Sequence, residues 1–113
     1  TESKAVLANA TVYFEFDSFN LSTRSIQALK SITSLMQDNP EIEITIAGHA
    51  DERGTREYNL ALGQRRAESV ADYIELKGIS RSRLTIKSYG EEMPMIQGSN
   101  ERSWARNRRA EIN

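Results

Sequence analysis

The sequence predicts an α+β fold, a βαβαβ-type sandwich with two long helices packed on one face of a mixed four-stranded sheet. Three observations carry that expectation. Segments with apolar residues at alternate positions recur at 11–16, 41–48 and 84–89, the spacing of half-buried strands. Between them lie two stretches with apolar residues three and four apart, each long enough to cross from one strand to the next. Length sets the count: 113 residues support one core and not two.

Residues 1–10 carry no pattern and are expected to form an N-terminal tether to a single domain over 11–113. Thr11 to Phe16 is β-branched and aromatic, with Val12, Phe14 and Phe16 alternating on one face. Asp17 to Asn20 is turn chemistry. Ser22 suits an N-cap, and Ile26, Leu29, Ile32 and Met36 make a helical stripe that Asn39-Pro40 stops near Asp38. Glu41 to Gly48 is the clearest strand, with Ile42, Ile44 and Ile46 on one face. A second helix runs from Thr55 to about Lys77 and ends at Gly78, the residue type favoured just past a helix C-terminus. Ile79 to Arg83 is a connector, and Leu84 to Tyr89 is a third strand. Gly90, Pro94 and Gly98 mark a long loop, followed by a short helix over 101–106 and a closing strand over 108–113.

Composition narrows the classes of function. With 38% hydrophobic and 27% charged residues, the chain is globular and not disordered. Fifteen basic and 16 acidic residues give a net charge of −1, too little for whole-molecule attraction to nucleic acid or anionic membrane. Arg102, Arg106, Arg108 and Arg109 gather near Trp104, but Glu101 and Glu111 interleave with them. A solvated or partner-contacting surface is therefore expected there, not a nucleic-acid patch. The absence of cysteine excludes disulfides and thiolate metal sites and leaves the compartment open. No apolar run has the length of a transmembrane helix. The chain begins at Thr1 without an initiator methionine, so a mature or trimmed fragment is expected.

The residues with chemical potential cluster between Gly48 and Ala67. Tyr58, Leu62, Arg66, Val70 and Ile74 follow one another turn by turn along the second helix. The four apolar-bodied ones should face the core, which places Arg66 beside the buried stripe with Asp51 as its nearest partner. One reading is a structural ion pair that ties loop to helix. The other is a receptor for a zwitterion, with Arg66 gripping a carboxylate bidentately and Asp51 accepting from an ammonium. Backbone N–H groups where the helix starts at Thr55 favour further negative charge. If this groove is open to solvent, truncating Arg66 should leave the fold intact. Asp17 ends the first strand, and if that strand lies beside the second, Asp17 and Asp51 emerge at the same edge. His49 offers, with Asp51, two metal ligands at most, and no second histidine completes a zinc site. With one histidine and no Gly-x-Ser-x-Gly elbow, a serine triad is unsupported too. The plain reading of His49 is a polar loop residue at a strand end.

Gly48-His-Ala-Asp51, Gly54, Asn59, Leu62 and Arg66-Ala67 resemble the peptidoglycan-binding motif of OmpA C-terminal-like domains. The run Asp51-Glu-Arg-Gly-Thr55, Glu57-Tyr-Asn59 and Ala61 to Ala67 is similar to the branch of peptidoglycan-associated lipoproteins, as are Phe14-x-Phe-Asp17, Ser88 to Glu92, Pro94 and Asn107 to Ala110. The resemblance spans Val12 to Ile112. It implies a non-catalytic module without cofactor that recognises meso-diaminopimelate in uncrosslinked peptide stems. By matching position, Asp51 would take the ammonium and Arg66 the carboxylate. Asp17, Arg53, Asn59 and Leu62 would line or organise the site, with Phe16 and Thr55 as weaker correspondences. It further implies work within the Tol-Pal system, with TolB as partner, at the periplasmic face of the outer membrane, anchored by an N-terminal lipid. The sequence departs from the family at Ala50, where many relatives have threonine, and at Arg56, where proline is frequent. Residues 93–105 match loosely, and the lipid-bearing cysteine is absent. The rival readings are an OmpA-like domain of a porin-linked or flagellar-stator protein and a small His49-dependent hydrolase.

Overall fold

The computed structural model describes residues 10–113. Strand β1 spans Ala10–Tyr13, helix α1 Thr23–Asp38, β2 Ile44–His49, α2 Arg56–Leu76, β3 Leu84–Gly90, α3 Glu101–Asn107 and β4 Arg109–Ile112. A single 3-10 turn, Arg81–Arg83, leads into β3. The tether expected over 1–10 lies outside the described residues except for Ala10, which already belongs to β1 and pairs with Ile112.

The helix ends follow from local chemistry. The Ser22 hydroxyl accepts from the Ser25 amide at 3.1 Å and opens α1. Asn39 closes it, donating through Nδ2 to the Leu35 carbonyl at 2.8 Å. The Thr55 hydroxyl accepts from the Tyr58 amide at 3.1 Å and opens α2. Gly78, at φ 100°, takes the left-handed turn just past its end. Leu29, Ile32 and Met36 of α1 and Ala67, Val70 and Ile74 of α2 bury against Val12, Ile44, Ile46, Ala110 and Ile112. This is the mixed-sheet α+β sandwich that the periodicity predicts.

The strand order is β1-β4-β2-β3, with β2 and β3 parallel and β4 antiparallel to both of its neighbours. The first strand therefore does not lie beside the second. After β1 the chain crosses over α1 and leaves a one-strand gap, which β4 fills, bonding along both of its edges. Because β4 opposes both flanking strands, β1 and β2 still run the same way. The segments carrying Asp17 and Asp51 thus emerge at one edge of the sheet, as expected, though through a different arrangement.

Two glycines hold α2 against β2. A Cβ at Gly48 would collide with the carbonyl oxygen of Gly63, and a Cβ at Gly63 would meet the Gly48 carbonyl oxygen at 2.9 Å. Helix and strand touch backbone to backbone here, which draws the first turns of α2 over the end of β2.

Several expected placements differ. β1 ends at Tyr13, and the chain turns at Asp17, a non-glycine residue at φ 54°, so Phe16 leaves the core alternation and is 57% exposed. Tyr58 lies in the first turn of α2, beyond the sheet edge, and is exposed instead of facing the core. His49 is the last residue of β2 and is buried, not a loop residue. Arg108 and Arg109 are buried too, and so do not form the solvated surface expected of that cluster. Each meets acceptors that offset its burial: Arg108 donates to the Phe14 carbonyl and Glu101, and Arg109 to Glu111 and the Met93 carbonyl.

Candidate functional site

The edge where β1 and β2 end holds a cleft of about 260 Å³. Phe16, Asp17, Asp51, Arg53, Asn59, Leu62 and Arg66 all line it, seven of the eight residues singled out by the sequence. Thr55 does not line it and acts one step back, as the N-cap of α2. Ala50, Gly54 and Tyr58 complete the wall.

Asp51 is 4% exposed and heavily supplied with donors. Its Oδ1 accepts from the Arg53 amide at 3.0 Å and from Arg53 Nε at 3.2 Å, while Oδ2 accepts from Arg53 Nη2 at 2.8 Å. Arg108 Nη1 stands 3.6 Å from Oδ2 on the other side. Burial pushes the Asp51 pKa up, but the Arg53 hydrogen bonds and the charges of Arg53 and Arg108 outweigh it and hold the carboxyl below its ordinary value. At neutral pH it is an anion at the back of a cleft.

Arg66 is not the partner of Asp51. It is fully buried, and it donates through Nε to the Ser18 carbonyl at 2.9 Å, through Nη1 to His49 at 2.9 Å and through Nη2 to Glu15 at 3.1 Å. The side chain is thus a clasp joining α2 to the ends of β1 and β2. Burial pushes its pKa down to about 10, so it remains a cation at neutral pH. The expectation that it could be truncated without cost to the fold does not survive this geometry, because three carbonyls depend on it. Two of the five guanidinium N–H groups take no part in these bonds.

The other residues set the shape of the loop. Asn59, 1% exposed, donates through Nδ2 to the Arg53 carbonyl at 3.1 Å and to Glu91 Oε1 at 2.8 Å, which ties the 51–54 loop to the end of β3. Gly54 takes φ 100°, a turn that a side chain would strain. Asp17 accepts a hydrogen bond from the Tyr58 hydroxyl across the cleft mouth. Leu62 supplies an apolar wall. The Arg53 guanidinium is stacked between two aromatic rings, 4.0 Å from the centroid of Phe16 and 4.0 Å from that of Trp104.

Sequence reasoning missed Arg108, Trp104 and Tyr58 as contributors. The charge interleaving at 101–111 hid the first two, since a mixed-sign surface looks solvated until its arginines are found indoors. His49 does not reach the cleft. It lies on the open face of the sheet with Thr45, Ala47, Lys87, Arg109 and Glu111, its ring stacked on Tyr89 at 5.4 Å. Among the described residues, no group of three or more His, Cys, Asp or Glu side chains is placed to hold a metal ion. No helix among them is long and apolar enough to cross a membrane.

The cleft at the strand ends of this two-layer sandwich thus brings the carboxyl groups of Asp17 and Asp51 together with the guanidinium groups of Arg53 and Arg66. Residues 13–108 match the OmpA family, and the chain belongs to it. The peptidoglycan-associated lipoprotein of Pseudomonas putida is 45% identical over 112 residues, covering 99% of this chain and 67% of that protein. That of Pseudomonas aeruginosa is 43% identical over 112 residues, covering 99% of this chain and 66% of the relative. This chain therefore spans about two thirds of the length of these relatives. The crystal structure of the peptidoglycan-associated lipoprotein from Burkholderia pseudomallei superposes with a TM-score of 0.91 at 42% identity, covering 95% of this chain and 91% of that one.

Proposed function

We propose that this domain is a non-catalytic module that binds peptidoglycan by recognising the meso-diaminopimelate residue of uncrosslinked peptide stems. The observation that carries the reading is Asp51, a buried carboxylate kept ionised at the back of a cleft that also contains Asp17, Arg66 and the apolar wall of Leu62. The diaminopimelate side chain ends in an ammonium and a carboxylate on one carbon. Asp51 accepts from the ammonium, with Asp17 nearby at the mouth. The carboxylate lies toward Arg66, whose two uncommitted N–H groups and positive charge favour it. Arg53, Asn59 and Thr55 organise the loop, while Phe16 and Leu62 shield the contacts from water. No step needs a nucleophile, a metal or a cofactor.

In the full-length protein the same domain anchors the outer membrane to the cell wall from the periplasmic side, held by a lipid ahead of this segment, and works with TolB and the other Tol proteins. The support for this wider role is the kinship with peptidoglycan-associated lipoproteins along 99% of the chain.

Calorimetric titration with two stem peptides tests the site, one carrying meso-diaminopimelate and one carrying lysine in its place. The lysine peptide lacks the terminal carboxylate and should bind at least roughly tenfold more weakly, because the cationic side of the cleft is left without its anion. Asp51→Asn should weaken the diaminopimelate peptide by on the order of 2–5 kcal/mol. Equal affinity for both peptides, or an Asp51→Asn variant that binds as well as the parent, would place recognition elsewhere.

A further inference from the structure

Trp104 lies in α3, outside the cleft, yet it bears on the carboxylate at the cleft's back. Its ring covers one face of the Arg53 guanidinium, as Phe16 covers the other, each at 4.0 Å. The ring is itself fixed, because Nε1 donates to Glu52 Oε1 at 3.1 Å and Glu52 also accepts from the Ser99 hydroxyl. A guanidinium between two rings has lost freedom about its long axis, and its edge is turned to the Asp51 carboxylate, where it makes contacts of 2.8 and 3.2 Å.

We propose that Trp104 is a positioning residue for ligand recognition: by stacking on Arg53 it locks the guanidinium fork onto Asp51 and so fixes that carboxylate's charge and direction. The inference rests on the proposed binding role of Asp51, and it extends the site to α3, a helix that contributes no side chain to the cleft wall. The Arg53 side chain is 30% exposed. Without the stack, a long side chain at such a position samples other rotamers and water competes for its donors. Asp51 would then keep only Arg108, at 3.6 Å, as a close cation.

The charged groups around Asp51 are Arg53, Arg108 and the buried Arg66 on the positive side, and Asp17, Glu52 and Glu101 on the negative side. Loosening Arg53 removes the strongest of the influences that depress the Asp51 titration, so its midpoint moves up toward the ordinary carboxylate range. Removal of a structural prop remote from Asp51 would destabilise the domain without moving that midpoint.

The experiment follows the Asp51 carboxyl carbon by NMR across an acid titration of the domain, in the parent, Trp104→Leu and Trp104→Phe. The same three proteins are titrated calorimetrically with the diaminopimelate stem peptide at neutral pH. The phenylalanine variant keeps an aromatic face over Arg53 and drops only the bond to Glu52. The expected result is an Asp51 midpoint raised in Trp104→Leu and near the parent value in Trp104→Phe. Peptide affinity should fall by roughly five- to tenfold in the first variant and recover in the second. An unmoved Asp51 midpoint in a folded Trp104→Leu overturns the proposal, whatever happens to affinity. So does a phenylalanine variant that shifts the midpoint, and that arm stands alone should the leucine variant fail to fold. Failure of the parent to bind the peptide would sink the functional reading while leaving the Asp51 titration to decide this one.

Discussion

At Arg66, burial and charge meet in one side chain, and the structure gives it a structural job beside the binding one its spacing implies. Its three bonds to the carbonyls of Glu15, Ser18 and His49 hold the loop after β1 and the end of β2 to α2. Arg66→Ala should therefore lose roughly 3 kcal/mol or more of stability in urea unfolding, since those carbonyls stay buried without donors. A loss under about 0.5 kcal/mol would show that the clasp is dispensable. The sequence located this residue on the inner side of its helix but could not say which oxygens it meets. Acceptors on the backbone leave no trace in residue type.

His49 has a consequence of its own at this scale. Neither ring nitrogen has a hydrogen-bond partner among the described residues. Burial, with Arg109 nearby and Glu111 opposing it, lowers its pKa to about 4 from 6.5. The unfolded chain takes up a proton that the native state refuses between those two values. Stability is thus full above about pH 6.5 and falls as pH drops toward 4, by on the order of 3 kcal/mol in total. His49→Phe, which can keep a ring against Tyr89, should flatten that part of the pH–stability curve. An unchanged slope would assign it to other groups.

Among the elements, the contact between β2 and α2 has the least tolerance. Gly48→Ala sets a methyl group against the Gly63 carbonyl, backbone on one side and a strand on the other, so neither can yield without shifting an element. A loss of at least about 3 kcal/mol is expected, with a lower thermal midpoint by circular dichroism. Cleft geometry should suffer as well, because Ala50 and Asp51 follow directly from β2. A Gly48→Ala variant as stable as the parent would show that helix and strand are not in such close contact. Element existence was legible because periods of two and of three to four survive in sequence, as at Ile42, Ile44 and Ile46. Boundaries were less so: Phe16 continues the alternation in letters, but the left-handed turn at Asp17 carries it out of the sheet. The pairing order was illegible, since alternation records which face is buried and not which strand lies next.

For the whole molecule, the deciding feature is that the last strand in sequence lies inside the sheet. β4 bonds to β1 from Ala10↔Ile112 to Tyr13↔Arg109, and to β2 through Ile46↔Ile112 and Gly48↔Ala110. Deleting residues 109–113 should abolish cooperative unfolding instead of fraying one edge, because it strips the core of Ala110 and Ile112 and leaves facing edges of β1 and β2 unpaired. A truncated chain with a native-like spectrum and a sharp thermal transition would contradict that. The cleft was legible at this scale for a simple reason: its residues cluster near two strand ends that leave the sheet together. Its rear support was not, because Trp104 and Arg108 arrive from the opposite end of the chain.

The same arrangement governs when the domain comes into being. A sheet whose interior strand comes last among its strands cannot close until residues 109–113 have left the ribosome, because the inner edges of β1 and β2 wait for them. Until then the apolar faces of both long helices have an incomplete platform, and the growing chain stays open to chaperones. The delay follows from strand order alone: were β4 at the edge of the sheet, the other strands could close before it arrived.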